Sequence, residues 1–92
     1  MIVTLEEIKN YLRVDSAQDD ALLSSLMLSA TRLCTHILRV NHLDELSQYQ
    51  DELRVAILYA TAYLYEHREE ANHRELTLTL RSLLFGIRKA EF

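Results

Sequence analysis

The chain contains no proline and no tryptophan, and only one glycine and one cysteine in 92 residues. With Gly86 the sole glycine, helix breakers are nearly absent. Helices can run uninterrupted, and a strand-and-turn sandwich lacks the residues its turns need. One glycine also excludes a glycine-rich loop that cradles phosphate. The lone Cys34 cannot close an internal disulfide, which fits a reducing compartment or indifference to redox state. The apolar runs are only a few residues long, so no stretch is expected to span a membrane. Met1 leads straight into a helix start rather than into a basic-then-apolar signal peptide. An excess of positive charge is lacking too. Ten Lys and Arg stand against 14 Asp and Glu, for a net charge of −4, whereas nucleic-acid binders usually show a basic excess.

What is present is an apolar fraction of 49%, ordinary for a globular chain and too high for a disordered one. The length allows a single helical domain over residues 1–92, with a thin core. The fold class read from the periodicity is all-α. It is a small bundle of about four helices, with a long central helix packed against helices 1 and 2 and a short C-terminal helix and tail.

Thr4 and Glu7 can form a capping box, with Val3 and Ile8 as the hydrophobic staple around it. Leu5, Ile8 and Leu12 then give helix 1 one apolar stripe, with Tyr11 beside it. After Arg13-Val14-Asp15-Ser16, Asp15 or Ser16 can cap a second helix expected from about Ala17 to Leu38. Asp19 and Asp20 suit the positive end of its dipole. Its apolar face runs from Leu22 and Leu23 to Ile37 and Leu38, and Leu28 points away from it. From Arg39 to Gln50 the periodicity fades, although Val40, Leu43 and Leu46 allow a short helical turn. A fourth helix is expected from Glu75 to Phe85, carrying Leu76, Leu80, Leu83 and Leu84, with Gly86 placed for a left-handed cap. A short basic tail ends on Phe92.

The central stretch, Leu53 to Glu69, organises the rest. Leu53, Ala56, Ile57, Ala60, Tyr63, Leu64 and His67 fall on one stripe, and Val55, Leu58, Tyr59, Ala62 and Tyr65 on the other side. Only Arg54, Thr61 and Arg68 form a polar band. A helix apolar nearly all round is buried nearly all round, and Asp51 can cap it. In so short a chain, one face is expected to meet the chain's own core and the other a neighbouring subunit. The candidate subunit interface is therefore Val55, Leu58, Tyr59, Ala62 and Tyr65, with Leu28 as a further mark.

Catalytic chemistry is sparse. His36, His42, His67 and His73 show no i, i+4 pair, and Glu66-His67-Arg68-Glu69 lacks the second histidine of a zinc helix. His67 reads as a partly buried helix residue hydrogen-bonded to a neighbour. Cys34 lies on an apolar face and reads as core. The acidic pairs Glu6-Glu7, Asp19-Asp20 and Glu69-Glu70 read as dipole-matching or solvated surface. No catalytic residue, cofactor site or metal site is assigned, and an enzyme is not expected. Helices 1 and 2 have the order of a helix-turn-helix. The supposed recognition helix, however, opens on Asp19-Asp20 and carries one cation, Arg32, before its last turn, so its leading end would repel phosphate. Basic residues gather late, at Arg68, Arg74, Arg81, Arg88 and Lys89. They either complement helix dipoles and pair with Glu66, Glu69 and Glu75, or form a docking surface for an acidic partner or a weak DNA-facing patch. On the docking reading, Arg81, Arg88, Lys89 and Phe92 are the candidates.

Three stretches taken in order resemble the phage head–tail connector family, the gp6-like adaptor proteins of tailed phages and prophages. They are Val3-Thr4-Leu5-Glu6-Glu7-Ile8-Lys9-Asn10-Tyr11-Leu12-Arg13-Val14-Asp15 with Asp20-Ala21-Leu22-Leu23; Ala62-Tyr63-Leu64-Tyr65-Glu66-His67-Arg68-Glu69; and Leu80-Arg81-Ser82-Leu83-Leu84-Phe85-Gly86-Ile87-Arg88. The chain departs from the family in having no proline before its central and final helices and a short connector after helix 2. The resemblance implies a small helical subunit that forms a homo-oligomeric ring beneath the portal protein at the capsid vertex. There it would extend the DNA channel, pass DNA without sequence-specific binding and dock the next head-completion or tail protein. The implied location is the virion head–tail junction, after assembly in the bacterial host cytoplasm, with no membrane partner. A small helical DNA-binding or DNA-packaging accessory protein is the alternative.

Overall fold

A computed structural model describes residues 3–39, 48–67 and 73–86. Four helices follow in order: α1 (Leu5–Leu12), α2 (Asp20–Leu38), α3 (Gln50–Glu66) and α4 (His73–Leu83). Among the described residues there is no strand.

The first helix starts as its sequence dictates. Thr4 Oγ1 accepts the Glu7 backbone N–H at 3.2 Å, and Glu7 Oε1 accepts the Thr4 N–H at 3.2 Å, closing the capping box. Val3 and Ile8 flank it, 1% and 0% exposed, so the staple seats α1 directly on the core. The helix ends at Arg13, which is left-handed with φ 59°. The Arg13 N–H donates to the Asn10 carbonyl at 3.2 Å and the Val14 N–H to the Lys9 carbonyl at 2.9 Å. That is a Schellman closure with arginine where glycine is usual. Arg39 (φ 57°) closes α2 in the same left-handed conformation.

The expected starts of α2 and α3 need correction. α2 opens at Asp20, because the Asp20 N–H closes a tighter turn onto Ala17 and the Asp19 carbonyl is the first to accept a helical bond, from Leu23 at 2.8 Å. Its N-cap is Asp19, whose side chain makes no capping bond. α3 starts at Gln50 with Tyr49 as N-cap, which places Asp51 inside the first turn, where it still complements the dipole. Gly86 also departs from expectation: it has no positive φ. The Leu84 N–H donates to the Leu80 carbonyl at 2.9 Å, so helical backbone carries past Leu83 and no left-handed cap is needed there. The helical turn at Val40–Leu46 and the tail from Ile87 lie outside the described residues.

The core forms around α3, which packs most extensively on α2 and also touches α1 and α4. From α3 come Leu53, Ala56, Ile57, Ala60 and Leu64; from α2 come Leu23, Met27, Ala30, Cys34, Ile37 and Leu38. Ala30, Ala56 and Ala60 are fully covered, and small side chains at a helix contact permit a short interaxial distance. Leu76, Leu80 and Leu84 close the bundle from α4. At 19 residues, α2 is long and apolar enough to cross a membrane by length and composition, which the short apolar runs in the sequence had concealed. Its buried stripe against α3 accounts for that apolarity, and Ser24, Ser25, Arg32 and His36 occupy its exposed side.

Candidate partner-binding surfaces

The outer side of α3 is graded rather than uniform. Val55 stands 56% exposed, Leu58, Tyr59 and Tyr65 are half-buried, and Ala62 is buried at 8%. The chain therefore covers part of the stripe assigned to a neighbour. Leu58, Tyr59 and Tyr65 each pack their inner edges on the core. Tyr65 is also tied down by chemistry, its hydroxyl donating to Asp19 Oδ2 at 2.6 Å, which joins the end of α3 to the start of α2. Leu28, on α2, is 48% exposed as its position off the apolar stripe requires.

The polar band of α3 is partly misread from sequence. Thr61 is fully buried, with its hydroxyl donating to the Ile57 carbonyl at 2.7 Å. Back-bonding to the preceding turn satisfies the hydroxyl, leaving its methyl face to pack in the core. Arg54 remains polar and exposed, and its guanidinium pairs with Glu7 Oε2 on α1. Lys9 Nζ meets Asp20 Oδ1 at 2.8 Å. Those carboxylate oxygens are themselves shielded from water, with the cation as partner. Three polar contacts thus tie α1, α2 and α3 together, two of them at Asp19 and Asp20 where α2 begins.

His67 departs from the inner stripe assigned to it. It follows the last residue of α3 and is exposed, with its ring stacked on Tyr63 at 4.3 Å and Nδ1 lying 3.0 Å from the Tyr63 carbonyl. The hydrogen bond to a neighbour is present; the burial is not, because α3 ends before the stripe completes another turn. Tyr63 in turn stacks on Tyr59 at 6.4 Å, so the outer edge of α3 carries a ladder of rings. Cys34 is buried, and burial pushes its thiol up to about 12, which suppresses the nucleophilic thiolate. Among the described residues no group of His, Cys, Asp and Glu could hold a metal ion.

On α4 the inner leucines alternate with an outer row. Leu78 is 55% exposed and Phe85, two residues past the end of α4, 63%; Leu83, expected on the inner stripe, is also 41% exposed. Arg81 is exposed on this outer side and shares a shallow hollow with Arg74, Thr77 and Leu78. Of the residues assigned to partner docking, Arg88, Lys89 and Phe92 lie outside the described residues. Leu78 and Phe85 had escaped the sequence reading, although the signal was available. Leu78 sits two residues from both Leu76 and Leu80, so a helix must carry it to the opposite face.

Among the described residues, exposed apolar side chains stand on α2, α3 and α4, each among polar neighbours. No curated protein and no solved structure matches the chain. The family model of the phage gp6-like head–tail connector protein matches residues 2–90, nearly the whole length. This chain belongs to the phage gp6-like head–tail connector family.

Proposed function

We propose that this connector protein is a non-enzymatic subunit of a homo-oligomeric ring beneath the portal. The ring extends the DNA channel and docks the next head-completion or tail protein at the virion head–tail junction, after assembly in the host cytoplasm. The observation that carries the reading is a family match spanning residues 2–90. It is supported by Leu28 and Val55, large apolar side chains left half-exposed on two different helices. A ring gives such residues a neighbour; Leu58, Tyr59 and Tyr65 contribute their outer edges, while Ala62 stays covered by its own chain. A net charge of −4 suits a wall past which phosphates slide without sticking. The test is the mass and shape of the purified protein, alone and mixed with its portal, by sedimentation and negative-stain imaging. A ring seated on the portal is expected; a chain that never binds the portal overturns the reading.

The DNA-binding alternative is less well supported. The end of α2 that would enter a groove opens on Asp19 and Asp20, and both carboxylates are already engaged, by Tyr65 and Lys9. DNA affinity is expected to be weak, non-specific and lost with added salt. Salt-resistant, sequence-selective binding of a short duplex at nanomolar protein would reverse this ranking.

A further inference from the structure

The outer face of α4 and of the turn that follows it is a single stripe of alternating charge and apolar bulk. Arg74, Leu78, Arg81 and Phe85 recur at i, i+4, i+7 and i+11, the spacing of one helical face, and all four are exposed. Neither arginine has an ion-pair partner among the described residues. The start of α3 has the complementary composition. Asp51 and Glu52 are exposed one turn before Val55, which is 56% exposed, and Leu58 and Tyr59 continue the surface half-buried. The cation beside them, Arg54, is turned to Glu7 on α1 and so leaves the patch acidic.

We propose that these two surfaces are the halves of one contact between copies of this chain. The acidic start of α3 on one protomer seats on the α4 stripe of the next, with Val55 against Leu78 and Phe85 and with Asp51 and Glu52 between Arg74 and Arg81. The inference rests on the ring reading and adds which surfaces meet. Charge complementarity favours a second copy as the occupant: each protomer carries one basic–apolar half and one acidic–apolar half. An apolar centre with a charged rim is also the usual anatomy of a non-obligate interface. Because the halves are unlike, a pair of protomers still has one of each half unused. Such a contact propagates to a third copy, which closes a ring if the rotation permits.

The test uses the full chain with its portal, followed by sedimentation velocity and negative-stain imaging over a range of protein concentration, with circular dichroism as the check on folding. Asp51→Arg with Glu52→Arg sets like charges against the α4 arginines, and should raise the concentration for half-assembly about tenfold or more. Arg74→Glu with Arg81→Glu should do the same from the other side. A chain carrying all four exchanges restores opposite charges across the contact and should assemble within about threefold of wild type. If both reversals assemble like wild type, the contact is wrong and the ring reading stands. If both fail and the fourfold exchange does not recover, the two surfaces do not face one another and the proposal is overturned. A wild-type chain that never associates, alone or on the portal, overturns contact and ring together. Should a charge reversal lose helicity, the uncharged Leu78→Ser and Val55→Ser carry the test: folded chains with weakened assembly support the contact, and normal assembly overturns it.

Discussion

Replacing Ile57 with alanine probes the inner face of α3, and Val55→Asp probes the outer face only two residues away. Ile57 is 1% exposed, so truncation removes its packing and leaves a cavity between α3 and its neighbours. That class of change costs about 2–5 kcal/mol, against a total stability of about 5–14 kcal/mol for a chain of this length. Each kcal/mol moves the Tm of a small domain by about 4–8 °C, so Ile57→Ala should lower it by at least about 8 °C. Val55 is 56% exposed, and a surface change there should stay within about 0.5 kcal/mol. Repulsion from Asp51, four residues earlier, adds a few tenths at most. Leu58→Asp should fall between them, about 1–3 kcal/mol, because half of that side chain packs on the core of the same chain. Val55 is therefore the cleaner probe of assembly, since Leu58 confounds folding with association. Thermal melts followed by far-ultraviolet circular dichroism, at a concentration where the protein is monomeric, read out all three. If Val55→Asp lowers Tm as far as Ile57→Ala, the outer face of α3 is core and the surface described here does not exist in solution.

Cys34 should resist alkylation at neutral pH while the chain is folded and react once denaturant is added; rapid native-state labelling, read by mass spectrometry, contradicts its burial. Burial holds its folded pKa at about 12, above the ordinary thiol value of 9.0, so the stabilising difference is fully present below pH 9 and is lost as pH rises towards 12. Wild type should consequently lose stability more steeply than Cys34→Ala across that alkaline window, and parallel denaturation curves would refute the assignment. Tyr65→Phe removes the 2.6 Å bond to Asp19 and should cost about 1–3 kcal/mol, as a half-buried hydrogen bond to a carboxylate does. In a double-mutant cycle with Asp19→Asn the two effects should be non-additive; full additivity would mean the pair is not formed in solution.

How much of this molecule is legible in its sequence depends on how far apart the cooperating residues lie. The capping box of Thr4 and Glu7 and the staple of Val3 and Ile8 involve neighbours within one turn, and both are present. The core stripes of α2 and α4 are equally local statements about a 3.6-residue period, and Leu23, Met27, Cys34, Leu76, Leu80 and Leu84 are buried accordingly. The family resemblance rested on the order of three such local stretches, and it holds over residues 2–90.

Other features needed the assembled bundle. Residue type names Thr61 polar, yet with its hydroxyl bonded to the Ile57 carbonyl it packs as an apolar group. Residue type also favours Gly86 over Arg13 and Arg39 for a left-handed cap, whereas the chain closes α1 with a Schellman pair at Arg13, and Arg39 takes the same left-handed conformation with its N–H on the His36 carbonyl. The contact between Asp19 and Tyr65 spans 46 residues, and no period or motif encodes it. Most consequential is the outer side of α3. The sequence by itself determined that this helix is apolar on two faces, because side-chain identity and helical period are local. Only the tertiary structure decided which part of the second face the chain covers for itself, burying Ala62 and leaving Val55 out, because that depends on where α1, α2 and α4 come to rest against α3.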